Sequence, residues 1–318
     1  MKESVLDEAL FRHSFLVAVL LGTLCRLLVL RISDRQYPTR PQDYIEQIIM
    51  AGLTSALGGI ALPALMDKEF SALTFLAVGI QQFQGLSKQE KITLNNIDED
   101  ELVPKGVTYI EEIASTYEVR SYVSLFAALC SSIGYILVAK RFGENILICT
   151  AVAAILALIV GLIFRRILRR NSINDIADIK EAKLYFDGPI MKVNDVVITN
   201  IGLKSERERF LTRAIGIEII PKDKNYINAS IIQDPGQRQT IAYNLYSRLG
   251  LYRQKNEPAF TPIPRRNPEN ESIVIAYLPM EKNEEAIIEA VKSTPIVSSA
   301  RGKNIALKNY VIGRKEGK

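Results

Sequence analysis

Apolar residues are distributed unevenly along this 318-residue chain. Five nearly unbroken apolar runs, 14–30, 44–66, 70–86, 122–139 and 146–164, fill its first half, whereas beyond residue 171 apolar and polar positions interleave over short stretches. A helix rises 1.5 Å per residue and the hydrocarbon core of a bilayer is about 30 Å thick, so about 20 apolar residues suffice to cross it. The second, fourth and fifth runs meet that length. The first does so only if Arg26 snorkels to an interface. The third ends in Gln81 and Gln82, and an interfacial helix is its alternative. The pattern predicts an α-helical membrane domain of about five transmembrane helices over 1–170, with a cytoplasmic amphipathic loop at 87–120. A small cytoplasmic α+β domain with a mixed sheet follows over 171–300, and 301–318 reads as a basic flexible tail.

Within the second half, "AKLYFDGPIMKVNDVVITNIG" gives two β-prone runs broken at Asp187-Gly188-Pro189, a combination that turns the chain. "KSERERFLTRA" reads as a short helix, "IGIEIIPK" as a buried strand, and "PGQRQTIAYNLYSRLGLY" as a helix entered near Pro235 and stopped at Gly250. "ESIVIAYLP" is a strand, and "NEEAIIEAVKS" a helix with Ile287, Ile288 and Val291 on one face.

Charge sets orientation more than it suggests a ligand. The net charge is +5, and its densest cluster is "RRILRR", Arg165–Arg170, directly after an apolar run. That position marks a cytoplasmic anchor and places the C-terminal domain in the cytoplasm of a multi-pass cell-membrane protein. With five crossings the N-terminus is outside, and with four it moves inside. No interleaved basic and aromatic pattern supports nucleic-acid binding. Cys25, Cys130 and Cys149 all lie in apolar runs and read as small packed hydrophobes. In the second run Ala51, Ser55 and Gly59 recur at four-residue spacing with Gly52 beside them, a small-residue face for close helix packing. The bilayer is the first partner this implies, and a homo-oligomer stays open.

Catalytic chemistry finds little support. His13 is the only histidine, so a histidine base, a triad and a histidine-ligated metal all lack their central part. "NIDEDE" at 96–101 clusters acids without the spacing or turn glycine of a calcium loop and reads as a solvated acidic loop. No phosphate-cradling glycine motif is present. At "PGQRQ" Arg238 stands where a helix start could take an anion, although helix capping with a surface arginine is the plainer reading. No catalytic residue, metal site or cofactor is expected.

The stretch "VPKGVTYIEEIASTYEVRSYVSLF", 103–126, is the most suggestive. On a helix Tyr109, Ile113 and Tyr117 share one face, with Ile110 and Ala114 on its flank, and Glu111 and Glu112 project away. Adjacent positions diverge by about 100°, so the two carboxylates do not converge on one substrate atom. A charged collar against which something docks is the better reading.

"ELVPKGVTYIEEIA" resembles the motif that names the YIEGIA family, membrane proteins of endospore-forming Firmicutes. The similarity continues through "RQYPTRP", "LPALMDKEFSALTFL", "DIADI", "FDGP", "GQRQ" with "LGLYR", and "EPAFTPI". Tyr109, Ile110, Glu111, Ile113 and Ala114 keep the motif, and Glu112 stands where the family has glycine. The resemblance implies a multi-pass membrane protein of sporulation and spore-envelope assembly, working with a small soluble capping-type subunit and without enzymatic activity. The expectation is a non-enzymatic scaffold with two interaction surfaces. The collar offers Tyr109, Ile110, Glu111, Ile113, Ala114 and Tyr117, and the C-terminal domain offers Asp187, Gly188, Pro189, Gln237 and Arg238. A transporter or lipid-handling protein using the small-residue groove between the second and fourth runs is the alternative, and a metal-dependent membrane enzyme at "NIDEDE" a weaker one.

Overall fold

The computed structural model describes residues 8–33, 41–66, 70–143, 145–168, 171–222, 226–254, 257–258 and 260–302. The chain forms two compact units, one drawn from Met1–Lys91 and Ile113–Arg169, the other from Ile92–Glu112 and Arg170–Lys318. The basic tail lies outside the described residues from Lys303 onward.

Five long helices occupy the first half: α1 (Glu8–Ser33), α2 (Pro41–Met66), α3 (Phe70–Glu99), α4 (Val107–Phe142) and α5 (Ile146–Leu168). Among the described residues four of them, α1, α2, α4 and α5, are long and apolar enough to cross a membrane. The third run is not one of these. It is the start of the 30-residue α3, whose second half is polar. The segment expected as a loop at 87–120 is helical except for 100–106.

In the first unit α1 packs on α2 and α5. The small-residue face of α2 is used for close helix contact. Ala51 and Ser55 are fully buried, and a Cβ at Gly59 would press on Phe15 of α1. Gly52 faces open space, while its neighbour Gly58 approaches α4 so closely that a Cβ would lie 2.2 Å from the Leu125 carbonyl oxygen. Thr54 and Ser124 share a hydroxyl hydrogen bond, and Ser132 Oγ donates to the Gly59 carbonyl at 3.2 Å. The groove between α2 and α4 is thus occupied by helix contact.

Arg26 corrects an expectation. Instead of snorkelling it is buried, 1% exposed, and donates to Gln47 Oε1 at 2.9 Å and to Ser121 Oγ at 3.3 Å. An ionisable group inside an apolar bundle needs such polar partners, and here α2 and α4 supply them.

The second unit carries short elements in order: α6 (Ile173–Ile176), β1 (Ala177–Ala182), β2 (Leu184–Asp187), β3 (Ile190–Val193), β4 (Val196–Asn200), α7 (Lys204–Arg213), β5 (Ile215–Pro221), α8 (Tyr226–Gln233), α9 (Pro235–Leu249), β6 (Arg253–Gln254), β7 (Glu257–Pro258), β8 (Arg265–Arg266), β9 (Ile273–Tyr277) and α10 (Glu284–Lys292). Among the described residues the expected mixed sheet is not found. A four-stranded sheet in the order β1-β5-β9-β8 and a three-stranded meander β2-β3-β4 are antiparallel at every pairing. No crossover returns a strand parallel to its neighbour, which is what a parallel pair requires. The meander has a second turn at Asn194-Asp195, both at positive φ, where the sequence reads as one continuous run.

Ala182, Met191, Val193, Ile198, Phe210, Val274 and Ala276 form a core that includes residues of both sheets. β5 and β9 are buried along most of their length because the meander contacts β9 while α8 packs on β5. Glu218 of β5 is 8% exposed and accepts from Asn194 Nδ2 and Asn270 Nδ2, each at 2.8 Å, and from Ser272 Oγ at 2.6 Å. It ties the meander turn to the loop before β9.

Candidate interaction site

The site is built from the turn between α3 and α4 and the first turns of α9. The end of α3 supplies Asp98, whose carboxylate accepts the backbone N–H of Lys105 and, at 3.0 Å, that of Gly106. The stretch "NIDEDE" is largely exposed, as expected, but most of it closes α3 instead of forming a loop, and its Asp98 orders the turn after it. Gly106 has φ +82°, a conformation that only glycine adopts without strain, and its carbonyl receives the N–H groups of Tyr109 and Ile110 that open α4.

On the other side, Asp234 caps α9, accepting from Gly236 N at 2.9 Å and Gln237 N at 3.3 Å, with Pro235 in the first turn. The helix start therefore already holds an anion, its own carboxylate. Arg238 is half-buried and donates to the Pro264 carbonyl at 3.3 Å, which agrees with capping and a structural arginine.

The two pieces interlock. Gln239 Nε2 donates to the Pro104 carbonyl, and a Cβ at Gly236 would lie 2.6 Å from Thr108 Oγ1. Lys105 is 4% exposed; its ammonium sits 4.8 Å from the centroid of the Tyr243 ring and 3.5 Å from the Glu101 carboxylate. Tyr109 and Tyr243 have centroids 6.0 Å apart, and Tyr243 meets Tyr246 edge-on at 6.4 Å. Burial pushes the Tyr243 hydroxyl up to about 12, with the Glu101 and Asp98 carboxylates adding to the shift. Tyr246 moves the same way, mainly by burial and the Glu101 charge.

Glu112 corrects the collar picture. It was expected to project with Glu111, yet it is 5% exposed and its Oε2 accepts the backbone N–H of Ser298 at 3.0 Å, while Glu111 is exposed. Gln237, expected at an interaction surface, is fully buried. Its Nε2 donates to the Pro295 carbonyl at 2.8 Å and its Oε1 accepts from Val297 N at 2.8 Å. Asn244 Nδ2 adds bonds to the Ala290 carbonyl and Thr294 Oγ1. Glu112 from the collar and Gln237 and Asn244 from α9 thus grip the chain that follows α10.

Tyr109 and Ile110 are buried, at 7% and 1%. Ile113 and Ala114 belong to the first unit, where the Ala114 carbonyl accepts Ser87 Oγ at 2.9 Å. The Tyr117 side chain lies outside the described residues. Asp187, Gly188 and Pro189 make the β2–β3 hairpin tip. Asp187 pairs with Lys192 at 2.7 Å, which holds its carboxyl below the usual range; the Gly188 carbonyl accepts Arg207 at 2.7 Å, and the Pro189 carbonyl accepts Ile201 N at 2.7 Å. None of these partners is on α9, so the hairpin and Gln237-Arg238 are separate features. Lys105, Thr108, Gly236, Gln239, Tyr243 and Asn244 complete the joint and were not anticipated. Among the described residues no group of three or more His, Cys, Asp or Glu side chains is placed to hold a metal ion.

Comparison with known proteins adds a family model described as "YIEGIA protein", which matches residues 14–307. A relative from Bacillus subtilis (strain 168), named "Uncharacterized protein YphB", is 33% identical over 288 residues, covering 91% of this chain and 93% of its own. No solved structure matches.

Proposed function

Because this chain belongs to the YIEGIA family, we propose that it is a multi-pass, non-enzymatic membrane scaffold whose C-terminal domain lies in the cytoplasm and presents a fixed surface to a small soluble protein partner during spore-envelope assembly. One observation carries the reading. The stretch around the naming motif is largely buried in packing: Tyr109 and Ile110 of the motif, with Lys105 before it and Glu112 where the family has glycine, join α9 and the chain after α10 into one unit. Glu111 lies exposed on the same helical turn. A motif committed to internal order, in a domain where buried Glu112, Glu218, Gln237 and Asn244 are each hydrogen-bonded within the fold, suits a platform better than a reaction centre.

The four apolar helices and the basic "RRILRR" support membrane placement with the C-terminal side cytoplasmic. The test is mild-detergent purification of the tagged chain from sporulating cells, beside Glu111→Arg and Glu112→Ala variants. A stoichiometric small protein, lost in Glu111→Arg while the melting temperature holds, is the expected result. Recovery of the wild-type chain alone would sink the scaffold reading.

A further inference from the structure

On its outward side α5 is little buried by the rest of the chain, and that side carries an open cavity of about 500 Å³ lined by Ile159, Leu162, Ile163, Arg165 and Arg166. The spacing gives the cavity a direction. Ile159, Ile163 and Arg166 follow one another at four and three residues along one helix face, with Leu162 and Arg165 beside them. An apolar trough therefore leads to two exposed guanidiniums.

Depth fits as well. At 1.5 Å per residue, Arg165 stands about 28 Å along the axis from Ile146, close to the thickness of the hydrocarbon core. If Ile146 begins the crossing, both arginines emerge at the headgroup layer. A guanidinium fork matches phosphate oxygens in pairs, and the surrounding low dielectric strengthens that contact.

We propose that this face of α5 is a binding site for an anionic phospholipid, its phosphate held by Arg165 and Arg166 and an acyl chain laid along Ile159, Leu162 and Ile163. Charge complementarity selects the occupant: a zwitterionic lipid brings its own cation to the place the guanidiniums hold. The site goes beyond the scaffold reading and shares with it only the placement of α5 in a bilayer.

The chain contains no tryptophan, so Ile159→Trp introduces a single fluorescent reporter within the trough. Full-length Ile159→Trp protein is reconstituted into vesicles containing increasing fractions of phosphatidylglycerol or phosphatidylcholine brominated on the acyl chains. Phosphatidylglycerol is expected to quench at about thirtyfold lower mole fraction, the scale of two interfacial arginines at about 1 kcal/mol each near an anionic headgroup. Adding Arg165→Gln and Arg166→Gln should merge the two curves. Equal quenching with both arginines present would overturn the site, as would a preference that survives both Gln substitutions. If the Gln variant fails to insert, the comparison with both arginines in place still decides. Quenching by neither lipid would overturn the placement of α5 itself, and the scaffold reading with it.

Discussion

Replacing Gly236 with alanine tests whether the turn before α4 and the start of α9 are packed as closely as the structure shows. The new Cβ would sit 2.6 Å from Thr108 Oγ1, 2.9 Å from its Cβ and 3.0 Å from its Cγ2. Comfortable carbon separations are about 3.5–4.0 Å, so the two segments must part by roughly half an ångström or more. Overpacking of this kind costs about 1–3 kcal/mol, and the helical preference of alanine over glycine returns about 0.5–1 kcal/mol. The net expectation is a loss of about 1–2 kcal/mol. Thr108→Ala removes two of the three clashing atoms and leaves its Cβ at 2.9 Å, so Gly236→Ala should cost less in that background, a coupling of about 1 kcal/mol. Both variants and their combination are measured as full-length protein in detergent, with unfolding followed by tyrosine near-ultraviolet circular dichroism, to which Tyr109, Tyr243 and Tyr246 contribute. A Gly236→Ala protein as stable as wild type, or strict additivity with Thr108→Ala, would refute the close packing.

Glu218→Ala strands three donors around a buried position and should cost about 3 kcal/mol or more in chemical denaturation, with Glu218→Gln costing less because one oxygen remains to accept. In the first unit, Gly58→Leu should lower the detergent melting temperature sharply while Gly52→Leu leaves it unchanged, since the first meets the Leu125 backbone and the second open space. Alkaline pH should destabilise the second unit. Tyr243 keeps its proton to about 12 in the fold but loses it near 10 when unfolded, so its contribution is complete below pH 10 and falls as pH rises from 10 to 12. Tyr277, buried and donating to the Leu245 carbonyl at 3.1 Å and to that of Gly250, shifts in the same direction. Stability measured across pH 9–12 should therefore decline, and Tyr243→Phe should flatten the decline.

Local signals made the helices and buried strands of the second unit legible. Pro235 and Gly250 bound α9, where Asp234 caps the start and Gly250 at φ +67° ends it, and the apolar pair Ile287 and Val291 marks the inner face of α10. The Asn194-Asp195 turn was hidden inside an apolar run, and its recognition needed the left-handed preference of Asn and Asp to outweigh β-propensity. Adjacent glutamates look alike in sequence. Glu112 is distinguished from Glu111 by Ser298, a residue 186 positions later. The burial of Arg26 is hidden from the sequence for the same reason, because its acceptors come from two other helices. The helical periodicity of 109–117 marks the collar as a contact surface, while its occupant, α9 of the same chain, carries no local signal. Yet "VPKGVTYIEE" and "GQRQ" had both stood out as family-like stretches, and the structure shows that they touch.

The second unit is discontinuous in sequence, with Ile92–Glu112 separated from Arg170–Lys318 by the remainder of α4 and all of α5. Its assembly is therefore tied to the order of synthesis. At roughly 5–20 residues per second, Glu112 waits about 10–40 s for Ser298 to leave the ribosome. During that wait Tyr109 and Ile110 lack their covering, and the apolar remainder of α4 and all of α5 must be made before the covering arrives. A fragment beginning at Asn171 would be made without the turn that Gln239 and Tyr243 pack against, so it would expose the α9 surface as an adhesive patch. The same vacancy could be filled in trans by a peptide spanning 92–112, which would restore solubility to that fragment.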